Sequence, residues 1–104
     1  MRDKFAAFWG ETARQFADNE NIIGYELLNE PWAGDIFKNP TLIVPGVADR
    51  EKLQPMYDEI NTKIREHDED RLIWFESVTF EVGGFGERFG FTHPPGGPEF
   101  ANKS

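Results

Sequence analysis

The chain contains no cysteine, which removes a disulfide framework, a thiolate metal site and a cysteine nucleophile, while leaving the compartment open. It is also poor in positive charge, with 11 Lys and Arg against 19 Asp and Glu and a formal net charge of −8. A field of that sign repels phosphate backbones and anionic lipid surfaces, so nucleic acid is not an expected partner. Nowhere do the roughly 18 apolar residues of a membrane span run together. The start, Met1-Arg2-Asp3-Lys4, leads into an amphipathic stretch instead of an apolar signal core, so neither a span nor a signal peptide is expected. Histidine is scarce at 2 residues. His67 falls in a helical stripe as a half-buried core residue and His93 stands alone before Pro94, so no pair has zinc spacing and no metal is expected. Gly83-Gly84-Phe85-Gly86 has neither the spacing of a dinucleotide fingerprint nor a Walker lysine after it, so no nucleotide cofactor is expected and the stretch reads as a flexible loop. Ser77 and Thr79 have no general base at readable spacing, which leaves a serine hydrolase unsupported.

What is present is enough for a core: 38% of the 104 residues are hydrophobic and 14% aromatic, including 10 Phe. That length is one domain or a piece of one. Over residues 4–18, Phe5, Phe8, Trp9, Ala13 and Phe16 fall at helical spacing, a one-faced surface helix. The cluster Asp18-Asn19-Glu20-Asn21 is turn chemistry, and the apolar run 22–28 after it has the length of a buried parallel strand that Pro31 ends. Residues 32–48 carry Gly34, Pro40, Pro45 and Gly46 among Ile36, Phe37, Leu42, Ile43 and Val44. That is irregular but too apolar for a solvated loop, so it is expected to pack on something. Asp49 offers an N-cap, and Leu53, Met56, Tyr57, Ile60, Ile64 and His67 trace a second apolar stripe. Pro55 suits a first turn, so the continuous helix should begin near Gln54 after a short preceding turn. Leu72-Ile73-Trp74-Phe75 reads as a second buried strand, and beyond Glu76 the glycines and prolines support no regular element. No fixed-period repeat is present.

Helix, strand, loop, helix, strand is the alternation of an α/β fold with parallel strands joined by helical crossovers. Two strands do not make such a sheet alone, so the expectation is either an oligomer or a slice of a larger α/β protein.

Asn29-Glu30-Pro31-Trp32 carries the most chemistry. It puts an amide and a carboxylate at the C-terminal end of a strand, where α/β barrels build active sites. A carboxyl beside Trp32 and away from bulk water would have its charged form disfavoured and its pKa raised toward that of a general acid. The plainer reading, in which Asn29 and Glu30 only start a loop, stands beside it. Glu76 ends the next strand, about 4.8 Å away, and is either a substrate-binding carboxylate or a structural hydrogen-bonding one. Glu26, four residues below Glu30, is expected to be buried and paired with a basic group elsewhere. Asp35 after Gly34 either touches substrate or makes a turn. Trp32 is either a sugar-stacking platform or a wall. The apolar loop around Phe37 and Ile43 either receives a lipid tail or covers a neighbour.

The stretch Gly24-Tyr25-Glu26-Leu27-Leu28-Asn29-Glu30-Pro31-Trp32 resembles the fourth-strand motif of glycoside hydrolase family 5. Ala33-Gly34-Asp35, Ala48-Asp49-Arg50, Leu53-Gln54-Pro55-Met56-Tyr57-Asp58, Ile64-Arg65, Phe75-Glu76 and Pro95-Gly96-Gly97-Pro98 extend the resemblance, toward the endoglycoceramidase branch, over nearly the whole chain. The resemblance implies a (β/α)8 barrel, of which residues 1–104 would supply the third helix through the fifth strand and part of the following loop, truncated at both ends of a single catalytic domain. It implies a retaining β-glycosidase acting on glycolipid or oligosaccharide. Glu30 would be the acid/base, Asn29 would hold the sugar 2-hydroxyl, and the nucleophilic glutamate would lie on a later strand outside these residues. Trp32, Asp35 and Glu76 would be substrate-binding, with no metal or organic cofactor. Extracellular family members tilt the localisation without fixing it, and the oligomeric state stays open. The rivals are a β-glucan hydrolase of the same family and a non-catalytic remnant that only binds carbohydrate or packs.

Overall fold

The computed structural model describes residues 1–79 and 90–104; the glycine-rich stretch 83–86, read above as a loop, lies outside the described residues. Helix α1 spans Arg2–Phe16, strand β1 Gly24–Glu26, helix α2 Gln54–Arg65 and strand β2 Leu72–Trp74. The strands are parallel, with Tyr25 paired to Ile73 and Glu26 to Trp74, and the ladder runs one step further where the Leu27 amide donates to the Trp74 carbonyl at 3.0 Å. Regular pairing is therefore shorter than the apolar runs predict. Ile22 and Ile23 lie ahead of the ladder, and Leu27 and Leu28 lead out of it into the bend at Asn29-Glu30.

Both helices cover the face that carries Tyr25 and Ile73. Trp9 meets the Tyr25 ring edge-on at 6.2 Å, and Leu53, Tyr57, Ile60 and Ile64 of the α2 stripe are buried in one core with Tyr25, Leu27 and Ile73. Each large aliphatic side chain so buried contributes about 1.5–3 kcal/mol. The opposite sheet face is open among the described residues: Leu72 is 40% and Trp74 42% exposed. Glu26 lies on this open face and is exposed. Within these residues it stays open because both helices share the other side, and its expected burial against a basic group concerns a strand outside them. His67, expected to be half-buried, is exposed two residues past the end of α2.

The two helices meet through small residues. Ala6, Gly10 and Ala13 are the buried positions of α1, while Phe8 and Phe16 of the predicted stripe are exposed. A Cβ on Gly10 would sit 3.2 Å from the Lys63 Cβ and 3.3 Å from its carbonyl oxygen, so the glycine sets how closely the helices approach. Ahead of α2, residues Asp49–Leu53 form a π-helical turn closed by the Gln54 amide on the Asp49 carbonyl. Pro55 has no amide to give to residue 51, which favours a widened turn over a regular one. The short turn expected before Gln54 is this one.

Below the strands, Arg71 closes the connection between α1 and β1. Its guanidinium donates to the carbonyls of Ala17, Asn19 and Ile22 and pairs with buried Asp68 at 2.8 Å. The Tyr25 hydroxyl donates to the same Asp68 oxygen at 2.7 Å. Burial disfavours the Asp68 charge, yet hydrogen bonds from Tyr25 and Arg71 outweigh it and hold this carboxyl below its ordinary value.

The segment after residue 90 docks on α2. Gln54 and Asp58 accept from the amides of Thr92 and Gly96, and Gly96, at φ 89°, leaves no room for a Cβ beside Asn61. The Nδ1 of His93 lies 3.1 Å from Gln54 Nε2 and 3.6 Å from Asp58. After a short 3-10 turn at Pro98–Phe100, the Lys103 carbonyl accepts from the Ile73 amide at 2.8 Å. In this region, expected to be wholly irregular, the chain thus returns to the sheet.

Candidate active site

Past Leu27 the chain leaves the ladder, and Asn29 and Glu30 emerge exposed at the C-terminal end of β1. Glu30 has φ 47°, the one positive value of a non-glycine residue among those described. An L side chain there is strained by roughly 1–2 kcal/mol, so something must hold it. The Glu76 carboxylate does so by accepting the Glu30 amide at 2.9 Å. One residue on, the Thr79 amide donates to the Pro31 carbonyl at 3.0 Å. The exit of β2 therefore grips the exit of β1 on both sides of the Glu30 side chain.

The gripping segment is itself anchored on α2 and the turn before it. Fully buried Tyr57 donates its hydroxyl to the Glu76 carbonyl at 2.9 Å, and buried Asp49 accepts the Val78 amide at 2.8 Å. Burial pushes the Tyr57 phenol well above its ordinary value. The hydrogen bond to the Glu76 carbonyl opposes this, and the charges of Glu76 and Asp49 reinforce it. Asp49 is thus no helix N-cap, and no side-chain cap closes the turn it opens. Its carboxylate is spent on a backbone 29 residues away. Neither Tyr57 nor Asp49 was singled out as a site residue. The available signal was chemical: a phenol on a buried stripe needs a polar partner.

The remaining candidates fall around this centre. Trp32 is 56% exposed and its indole donates forward to the Gly34 carbonyl at 2.9 Å. Glu30 is exposed within these residues, so the screening expected of that ring is not seen among them. Asp35 accepts the Lys38 amide at 3.1 Å and pairs with the Lys38 ammonium at 3.3 Å, which is the turn reading. Glu76 accepts the Glu30 amide through Oε2, as a hydrogen-bonding carboxylate does. In the apolar loop, Ala33 and Leu42 are buried and Ile36 packs on the core, whereas Phe37 is 94% exposed. Among the described residues no three His, Asp or Glu side chains gather as a metal site, and no helix is long and apolar enough to cross a membrane.

A fixed backbone presenting one carboxylate and one amide at a strand end is suited to proton transfer and to holding a hydroxyl. Comparison with known proteins bears on which reaction. An endoglycoceramidase of Hydra vulgaris is 49% identical over 107 residues, covering 100% of this chain and 19% of that protein. An endoglycoceramidase of Cyanea nozakii is 47% identical over 104 residues, covering 100% of this chain and 20% of that protein. The chain thus spans about a fifth of the length of these relatives. No solved structure gives a significant match. The family described as Cellulase (glycosyl hydrolase family 5) matches residues 1–94, and with the strand-end Asn29-Glu30 pair in place, the chain belongs to glycosyl hydrolase family 5.

Proposed function

We propose that these residues form the acid/base side of a retaining β-glycosidase that cleaves the bond between glycan and ceramide in glycosphingolipids, within a (β/α)8 barrel. The observation that carries the reading is Glu30: a solvent-facing carboxyl beside an asparagine at the C-terminal end of a parallel strand, its backbone pinned from the neighbouring strand. Both helices lie on one sheet face, as they do around a barrel, and barrel active sites sit at this end of the strands.

In this reading Glu30 protonates the glycosidic oxygen as the bond to the anomeric carbon breaks, and a glutamate outside these residues captures that carbon. Glu30, now a carboxylate, then takes a proton from the water that releases the sugar. A retaining pair stands about 5–5.5 Å apart. Asn29 holds the sugar 2-hydroxyl, Trp32 offers an exposed ring for stacking, and Asp35 closes the turn beside it. The family's description as cellulases favours one alternative, a β-glucan substrate on the same machinery.

The test is to incubate the full-length gene product with a glycosphingolipid and a soluble β-glucan. Release of intact oligosaccharide and ceramide is expected. Turnover of the glucan alone selects the alternative, and turnover of neither leaves the non-catalytic reading.

A further inference from the structure

Glu76 has a duty that a substrate-binding carboxylate does not need. Its Oε2 lies 2.9 Å from the Glu30 amide, and Glu30 sits in the left-handed region at φ 47°. Its own carbonyl is fixed by the Tyr57 hydroxyl, and the chain beyond it is fixed by Asp49 on the Val78 amide and by the Thr79 amide on the Pro31 carbonyl. A non-glycine residue leaves the left-handed region when nothing holds it, and the backbone rotation carries its side chain away. Turning the peptide so that the amide of residue 30 reaches a neighbouring strand's carboxylate is what keeps Glu30 there.

We propose that Glu76 is a positioning residue: it binds no substrate and moves no proton, but locks the Glu30 backbone in the conformation that aims the acid/base at the glycosidic oxygen. This rests on the acid/base reading of Glu30. It requires an acceptor oxygen at position 76, not a charge. Glutamine keeps such an oxygen and leucine keeps only the bulk.

The experiment compares Glu76→Gln and Glu76→Leu in the full-length gene product. With glycosphingolipid, Glu76→Leu should lower kcat roughly 10–100-fold, the scale of a misaimed catalytic group, with KM little changed. Glu76→Gln should restore most of it. An aryl β-glycoside with a good leaving group should lose less in the bond-breaking step, because that step needs less acid help. A Gln variant as poor as Leu, or a loss confined to KM, overturns the proposal in favour of charge or substrate contact. Rescue of the Leu variant by azide with an inverted product overturns it in favour of a nucleophile. Amide exchange at Glu30 gives a readout that needs no turnover: protection should persist in Glu76→Gln and vanish in Glu76→Leu. If the wild type cleaves no glycoside, the functional reading fails, and equal exchange in all three proteins would sink the positioning role as well.

Discussion

The Thr79 amide donates to the Pro31 carbonyl at 3.0 Å, so the two strand exits are tied one residue beyond Glu30 as well as at it. Between those ties the Glu30 side chain is the part left to meet a substrate, and its removal should show in the chemistry more than in the fold.

Glu30→Gln keeps the shape and removes the titrating proton. Glycolipid cleavage should slow by about 10²–10⁴-fold, since ceramide leaves as a poor leaving group. With an activated aryl glycoside, Glu30→Ala should still form the glycosyl-enzyme and then stall. Added azide needs no base, displaces the enzyme carboxylate from the anomeric carbon and gives the β-glycosyl azide after two inversions. An α-configured azide, read by NMR of the product, would remove the retaining mechanism.

Phe37 is exposed in the apolar loop and Ile43, further along it, is half-buried. If the loop receives the lipid tail, Phe37→Ser with Ile43→Ser should cost glycolipid turnover, about 10-fold or more in kcat/KM at the apolar burial scale of about 25 cal/mol per Å². A soluble aryl glycoside should be nearly unaffected. Equal losses on both substrates would make the loop a packing element.

The Asp68 cluster sets a stability window in pH. The fold binds the Asp68 carboxylate, so its contribution is complete above the unfolded value of about 3.9 and is lost as pH falls through the lower folded value. Tyr25 works in the other direction. Burial first, and then its bond to Asp68, push the phenol up to about 12. Its contribution is complete below the unfolded value of about 10 and is lost as pH rises through that folded value. Urea midpoints of the full-length gene product should fall in both windows. Tyr25→Phe should flatten the alkaline loss and shrink the acid one, and an unchanged profile would remove Tyr25 from the cluster's energetics.

Gly10 faces Lys63 at close range. Gly10→Leu should destabilise by about 1–3 kcal/mol through overpacking. Ala7→Leu, on the exposed side of α1, should stay within about 0.5 kcal/mol. Denaturant unfolding compares the two directly.

The elements that local pattern could reveal were legible: the period of Leu53, Tyr57, Ile60 and Ile64 marked α2 and Pro55 marked its delayed start, whereas β1 ends well before Pro31, the residue expected to end it. Residues whose partners are distant in sequence were not. Asp49 looks like a cap because caps are local, yet its oxygen serves Val78. The α1 interface looked like Phe8 and Phe16 because large apolar residues dominate a periodicity count, whereas two helices in close contact need the small ones. Asn29 and Glu30 could be picked out by residue type and place in the strand. The grip of Glu76 could not, because it depends on a backbone twist at Glu30 that no composition encodes.

The return of the chain at Lys103 leaves β2 bonded on both of its edges. β1 lies on one side of β2, and the Lys103 carbonyl meets β2 through Ile73 on the other, while the amides of Thr92 and Gly96 bond to α2. In a barrel each strand is added beside the last, so the winding does not reverse and no doubly wound crevice arises. Each unit also finds its docking edge already made by the unit before it. A polypeptide emerging from the ribosome can therefore assemble in the order of its synthesis, with Glu30 gripped only once Glu76 and Thr79 have followed it out.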